Sequence, residues 1–169
     1  MPLVDFNELP DTSRVWVFGV SEPLSEINEA TFLAVVDGFL EGWAAHGNVL
    51  MCGRAWRRGR FLLVAVDEAS EAPSGCSIDA MVHLLKAEQQ RMGVSIVDHT
   101  AVWYLEDDQV RRVTREVFKT LADAGSVDAD TVVFDNTVTR LDRVREGGWE
   151  CPASESWHGS AFLPHTAGA

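Results

Sequence analysis

The chain has 169 residues, 46% of them hydrophobic, and its 14 basic against 26 acidic side chains give a formal net charge of −12. That size and apolar fraction suit one domain or two small ones with a real core, whereas the charge repels phosphate backbones and anionic bilayers, so neither a nucleic acid nor a membrane surface is an expected partner. The three cysteines lack C-x-x-C spacing, the first ten residues lack the pattern of a secretory signal, and no apolar stretch reaches membrane-span length, so a soluble, cytoplasmic protein is expected.

Arg14-Val15-Trp16-Val17-Phe18-Gly19-Val20 is a short apolar run that reads as a buried strand. Ser25 can cap the next segment, where Ile27, Leu33, Val36, Phe39, Leu40 and Trp43 recur at helical spacing and Gly47 can close the helix. Residues 49–57 and 60–67 read as strands joined by a turn at Arg58-Gly59. The second of them, from Phe61 to Val66, is apolar throughout and is expected at the centre of a sheet. A loop rich in Ser, Pro, Ala and Gly over 68–75 leads into a helix over 76–92, with Ile78, Met81, Val82, Leu85 and Met92 on its apolar face and Gly93 at its end. A strand near 95–97 or 100–104 would complete β-α-β-β-α-β. That is a ferredoxin-like α+β domain over residues 1–99, one antiparallel sheet with both helices on one face.

Residues 100–169 read as a second unit. Residues 101–105 and 110–113 flank Glu106-Asp107-Asp108-Gln109 as a hairpin; Thr114 caps a helix over 115–124 that Gly125 ends; residues 130–134 form another strand. From 139 onward an irregular tail is expected, holding Trp149, Pro152, Trp157 and Phe162. Trp103-Tyr104, Thr114-Arg115-Glu116-Val117-Phe118, Gly125-Ser126-Val127 and Asp130-Thr131-Val132-Val133-Phe134 resemble the short GYF-like domains of bacteria. The resemblance covers residues 101–135 and implies a β-β-α-β module. Where such domains carry Gly-Pro in the second strand, Arg112-Val113 stands here, so a proline-rich peptide is not inferred as partner.

Ser74-Gly75-Cys76-Ser77-Ile78-Asp79 and Glu155-Ser156-Trp157-His158 resemble the marks of an uncharacterised bacterial family often labelled ABC-transporter ATPases. A P-loop holds phosphates with backbone amides and the lysine of G-x-x-x-x-G-K-[ST]. No Gly-Lys pair occurs in this chain, so ATPase activity is not expected.

Cys76 follows Ser74-Gly75 at a helix start, where unpaired amides and the helix dipole favour a thiolate. Cys76, Asp79 and His83 share one helical stripe, the composition of an activated nucleophile. Two turns of helix separate Cys76 from His83 by about 10 Å along the axis, too far for a direct bond. The amides of Ser74, Gly75, Cys76 and Ser77 could instead receive an anion. Trp157 can pin the tail and place His158 against a neighbouring surface, where it could take a proton from Cys76. Against these stand plainer roles: a capping cysteine, a solvated helix face and a packed histidine. His46, before Gly47, reads as a helix cap; His99 beside Asp98 and His165 near the end show no ligand spacing. No H-x-x-x-H, H-E-x-x-H or cysteine pair indicates a metal, and no cofactor is implied. Arg54, Arg57, Arg58 and Arg60 flank a hairpin turn and could dock an anionic ligand, but the plainer expectation is that they pair with surface carboxylates or keep the hairpin soluble; Asp67-Glu68 ends an apolar strand.

Two kinds of function follow. One is a binding protein holding a small anionic ligand or a protein partner near the helix start, with Ser74, Gly75, Ser77, Asp79 and Trp157 in contact. The other is a thiol-dependent enzyme or redox sensor using Cys76 with His158 or His83. A structural subunit of a larger assembly is a third option, served by the six tryptophans. No complete catalytic motif decides among them.

Overall fold

Residues 3–164 are described in the computed structural model. The fold is α+β, with helices beside antiparallel sheets. Two units divide the chain: the first runs to Asp98 and includes Thr139–Asp142, and the second comprises His99–Val138 and the chain from Arg143 on.

The first unit contains β1 (Arg14–Gly19), α1 (Glu26–Glu41), β2 (Ala44–Ala45), β3 (Asn48–Val49), β4 (Met51–Arg57), β5 (Phe61–Asp67) and α2 (Gly75–Met92). Its main sheet has the order β1-β5-β4, antiparallel throughout. The uninterrupted apolar sequence of β5 suits this central place, since both of its faces are covered and Phe61 to Val66 are all buried. Leu62, Val64 and Val66 share a core with Phe32, Val36 and Leu40 of α1 and with Met81 and Leu85 of α2. Ser25 caps α1 as expected, accepting the Asn28 amide at 3.2 Å. The helix ends earlier than its apolar spacing predicts, with Gly42 at its C-terminus. Gly47 instead makes a two-residue hairpin turn with His46, both at positive φ (81° and 51°).

The full four-stranded ferredoxin-like sheet does not form. Three strands and two helices take the expected places, but residues 95–97 make no strand and the strand near residue 102 lies in the second unit. The reason is local: the amides of Ile96 and Val97 both donate to Gln89 Oε1 (2.8 and 3.0 Å), and that of Ser95 to Ser21 Oγ (2.8 Å). Those donors cannot also join a ladder. The edge of β1 is met by Thr139–Asp142, where Val15 N donates to Thr139 O and Leu141 N to Ser13 O, each at 2.9 Å. Arg14 and Arg140 form an antiparallel bridge between them.

The second unit contains β6 (Val102–Glu106), β7 (Gln109–Val113), α3 (Arg115–Asp123), β8 (Val132–Phe134), the last residues of α4 (Leu141–Arg145), β9 (Glu150–Pro152) and α5 (Trp157–Phe162). Its sheet has the order β7-β6-β8-β9 and is antiparallel. The hairpin turn narrows to Asp107 and Asp108, both at positive φ (51° and 61°), which aspartate tolerates. Thr114 caps α3 by accepting the Val117 amide at 3.1 Å, and Phe118 and Ala122 pack with Val102, Tyr104, Val133 and Phe162.

Over its described residues, to Pro164, the tail expected to be irregular forms regular elements. β9 extends the sheet, with Val133 opposite Cys151, and α5 sets Phe162 against Phe118 at 5.2 Å between ring centroids. Elements of three to six residues are too short to show a hydrophobic period. Among the described residues, no helix is long and apolar enough to cross a membrane.

Candidate functional site

The segment from Ser74 to Asp79 opens α2 through a reciprocal capping box. Ser74 Oγ accepts the Ser77 amide at 3.1 Å, Ser77 Oγ accepts the Ser74 amide at 3.0 Å, and the two hydroxyl oxygens lie 2.7 Å apart. Ser77, only 4% exposed, also donates its hydroxyl to Ala44 O at 3.0 Å. Its carbonyl accepts the indole N–H of Trp43 at 2.8 Å. Ser74 is thus bonded within the helix start, Ser77 ties the residues of the β2–β3 hairpin to it, and both residues line the cleft beside them.

This tie leaves an open cleft of about 390 Å³. Phe39 and Trp43 form an aromatic wall, their centroids 5.7 Å apart, while His46, Cys76 and Ala80 stand around the rim. No acidic side chain is among its lining residues, in a chain with 26 of them. Ser77 N and Ile78 N are bonded to the Ser74 side chain and carbonyl. Among the described residues, the amides of Gly75 and Cys76 have no hydrogen-bond acceptor, so the helix start keeps two donors for an anionic atom. Cys76 is exposed, as are Asp79 and His83, so the expected stripe is a solvated helix face with the thiol at the cleft end.

The other two thiols are set apart by burial. Desolvation pushes the Cys52 thiol up to about 12, and its Sγ lies 3.5 Å from Leu40 O. Cys151 is also raised, first by burial and then by the charges of Asp135 and Glu155.

His158 and Trp157 belong to the second unit and Cys76 to the first. His158 is 1% exposed, and its ring stacks on Trp157 with centroids 4.1 Å apart. Its Nδ1 pairs with Ser156 Oγ at 2.7 Å, and the same oxygen caps α5 by accepting the His158 amide at 3.2 Å. Burial lowers its pKa to about 4; Arg115 acts in the same direction and Asp135 opposes it. The imidazole is therefore neutral and enclosed. The Arg115 guanidinium sits over the Trp157 ring, 5.2 Å from the indole centroid.

His46 is a turn residue at the cleft rim, not a helix cap, because the helix has ended before it. Arg54 holds Asp37 through two bonds of 2.7 and 2.8 Å, and the largely buried Arg60 donates to the carbonyls of Val20 and Ser21 (2.9 and 2.8 Å). Arg54 pairs with a carboxylate as the plainer reading expects, whereas Arg60 departs from it by bonding backbone carbonyls from a buried position. Glu68 meets Arg14 at 4.0 Å. No group of three or more His, Cys, Asp or Glu among the described residues could hold a metal ion. His165 lies outside the described residues.

The residues missed in sequence are Phe39, Trp43 and His46. Nothing local marks them: Trp43 and Ser77 are 34 positions apart, and only folding brings the cleft together. Comparison with protein-family models, curated proteins and solved structures finds no match.

Proposed function

We propose that this is a soluble, cytoplasmic binding protein whose site is the cleft beside the start of α2, and that its ligand is a small molecule with an anionic group and an apolar body. The observation that carries this reading is the cleft of about 390 Å³, with an aromatic wall at one side and, among its lining residues, Cys76 of the helix start, whose amide has no acceptor among the described residues. Amides at a helix start favour an anion, and Phe39 offers an apolar surface to the rest of the molecule. That none of the residues lining the cleft is acidic supports the same charge preference. An exposed free cysteine supports a reducing compartment.

The test is a screen of small aryl carboxylates and phosphate esters by amide chemical shifts. Ligand binding moves the signals of His46, Gly75, Cys76 and Ala80. Ala80→Trp, at an exposed lining position, fills the cleft and removes those shifts without lowering stability. Shifts that persist in the variant, or none from any member at millimolar concentration, overturn the reading.

A thiol-dependent activity is the second reading. It is favoured by one observation, that Cys76 alone among the three cysteines is exposed, and at the cleft. Cys76→Ser separates the two readings: a binding protein keeps its ligand shifts, whereas a thiol enzyme or redox sensor loses its chemistry. For the second unit, the order β6-β7-α3-β8 supports the GYF-like reading of residues 101–135.

A further inference from the structure

The cleft makes no use of His158, a titratable side chain closed inside the second unit. We propose that α5 is a clasp on α3 that opens when His158 takes up a proton. The ring is stacked on Trp157, with the edges of Phe118 and Phe162 at centroid distances of 6.1 and 6.4 Å. An imidazolium there would be a cation with little water around it. The elements packed around it carry Arg115 and Lys119 on α3, Glu155 in the turn before α5 and Asp135 after β8. Arg115 disfavours the proton and Asp135 favours it, but desolvation is the largest effect. Lys119 does not face the site as a free charge, since its Nζ bonds Asp123 at 2.9 Å and Phe162 O at 3.2 Å.

Opening is confined to α5 because of how it is attached. A six-residue helix has no stability of its own, and no strand ladder includes it. It is held by Phe162 against Phe118, by the Lys119 bond and by the close approach of Gly159 to Ala153, where a Cβ would lie 2.7 Å from the Ala153 oxygen. Short elements held by a few side chains open at lower free energy than the sheet beside them. Opening would bare the α3 face that carries Phe118.

The size follows from the two protonation equilibria. A solvated histidine titrates near 6.5 and the enclosed one at about 4, so both forms are neutral above 6.5 and only the open form gains a proton between the two values. From pH 8 to pH 4.5 the opening equilibrium of α5 rises about 75-fold. Hydrogen exchange on the full chain, corrected for the intrinsic pH dependence, reads this at the amides of Gly159 and Leu163, which donate to Ser156 O and Gly159 O. The expected result is that rise at those amides with β6 and β8 unchanged, and a flat profile in His158→Gln. A rise under about 5-fold, an equal rise in β6 and β8, or the same rise in His158→Gln overturns the clasp. Should that variant not fold, the ring proton titration of His158 in the native chain decides, with a midpoint near 4 expected and one near 6.5 refuting.

Discussion

Ser77→Ala tests whether the start of α2 is scaffold or ligand contact. Removing the hydroxyl takes the acceptor from Ser74 N, the partner from Ser74 Oγ and the donor from Ala44 O, three contacts of 3.0, 2.7 and 3.0 Å. The Ser77 amide keeps Ser74 Oγ, and Trp43 keeps the Ser77 carbonyl, since both use backbone atoms of residue 77. Ser77 is buried, so water does not readily replace what is lost, whereas half-buried Ser74 recovers part of its hydration. An unsatisfied buried group costs about 1–3 kcal/mol and the lost reciprocal half of the capping box adds less than about 1 kcal/mol, so the net destabilisation is about 2–3 kcal/mol. For a unit of roughly a hundred residues this lowers Tm by about 10–20 °C. Cys76→Ser, one position away but exposed, changes stability by no more than about 0.5 kcal/mol. Urea unfolding followed by tryptophan fluorescence separates the two, provided the slope m is unchanged. A Ser77→Ala cost below about 1 kcal/mol would place that hydroxyl at the cleft surface and refute its scaffold role.

Alkylation with iodoacetamide at pH 8 should modify Cys76 and leave Cys52 untouched, because a thiol held at about 12 is ionised to only about one part in ten thousand there. Comparable rates, resolved by mass spectrometry for each cysteine, would refute the burial of Cys52. Gly53→Ala puts a Cβ 2.5 Å from Val4 O and 3.3 Å from Phe6 Cα, and should cost about 1–3 kcal/mol as the N-terminal segment is pushed off β4. A thermal midpoint equal to the native one would show that this segment does not lie against the strand. Asp107→Gly relieves a positive φ of 51° in the β6–β7 turn and should stabilise the second unit by about 0.5–1 kcal/mol in urea; a loss would mean that the turn is not of the two-residue type.

Local signals proved legible where their chemistry is local. β5 follows from its apolar run, the end of α2 from Gly93 at a φ of 68°, and the starts of α1 and α3 from Ser25 and Thr114. Trp43 shows the limit. Its spacing continues the apolar stripe of α1, but it lies beyond the helix, and its N–H bonds a carbonyl 34 positions later. The same holds for the edge of β1, which is met by residues 139–142 because the nearer donors at 95–97 are bonded to side chains.

At the candidate site, the residue types of a helix start could be read directly, but not their direction. Ser74, Gly75, Cys76 and Ser77 all carry groups suited to an anion or a nucleophile, and the capping box already engages the hydroxyls of both serines. What is left for chemistry is what capping does not use: two amides, one thiol and the surfaces that the end of α1 and the β2–β3 hairpin bring beside them. His158 reverses the case. Its sequence setting suggests an accessible base, but Ser156, Trp157 and Phe118 enclose it, and enclosure lowers its basicity as it removes it from solvent. A side chain named for its chemistry can act only where packing leaves that chemistry unused and open; the Cys76 thiol is exposed, whereas the His158 ring is enclosed.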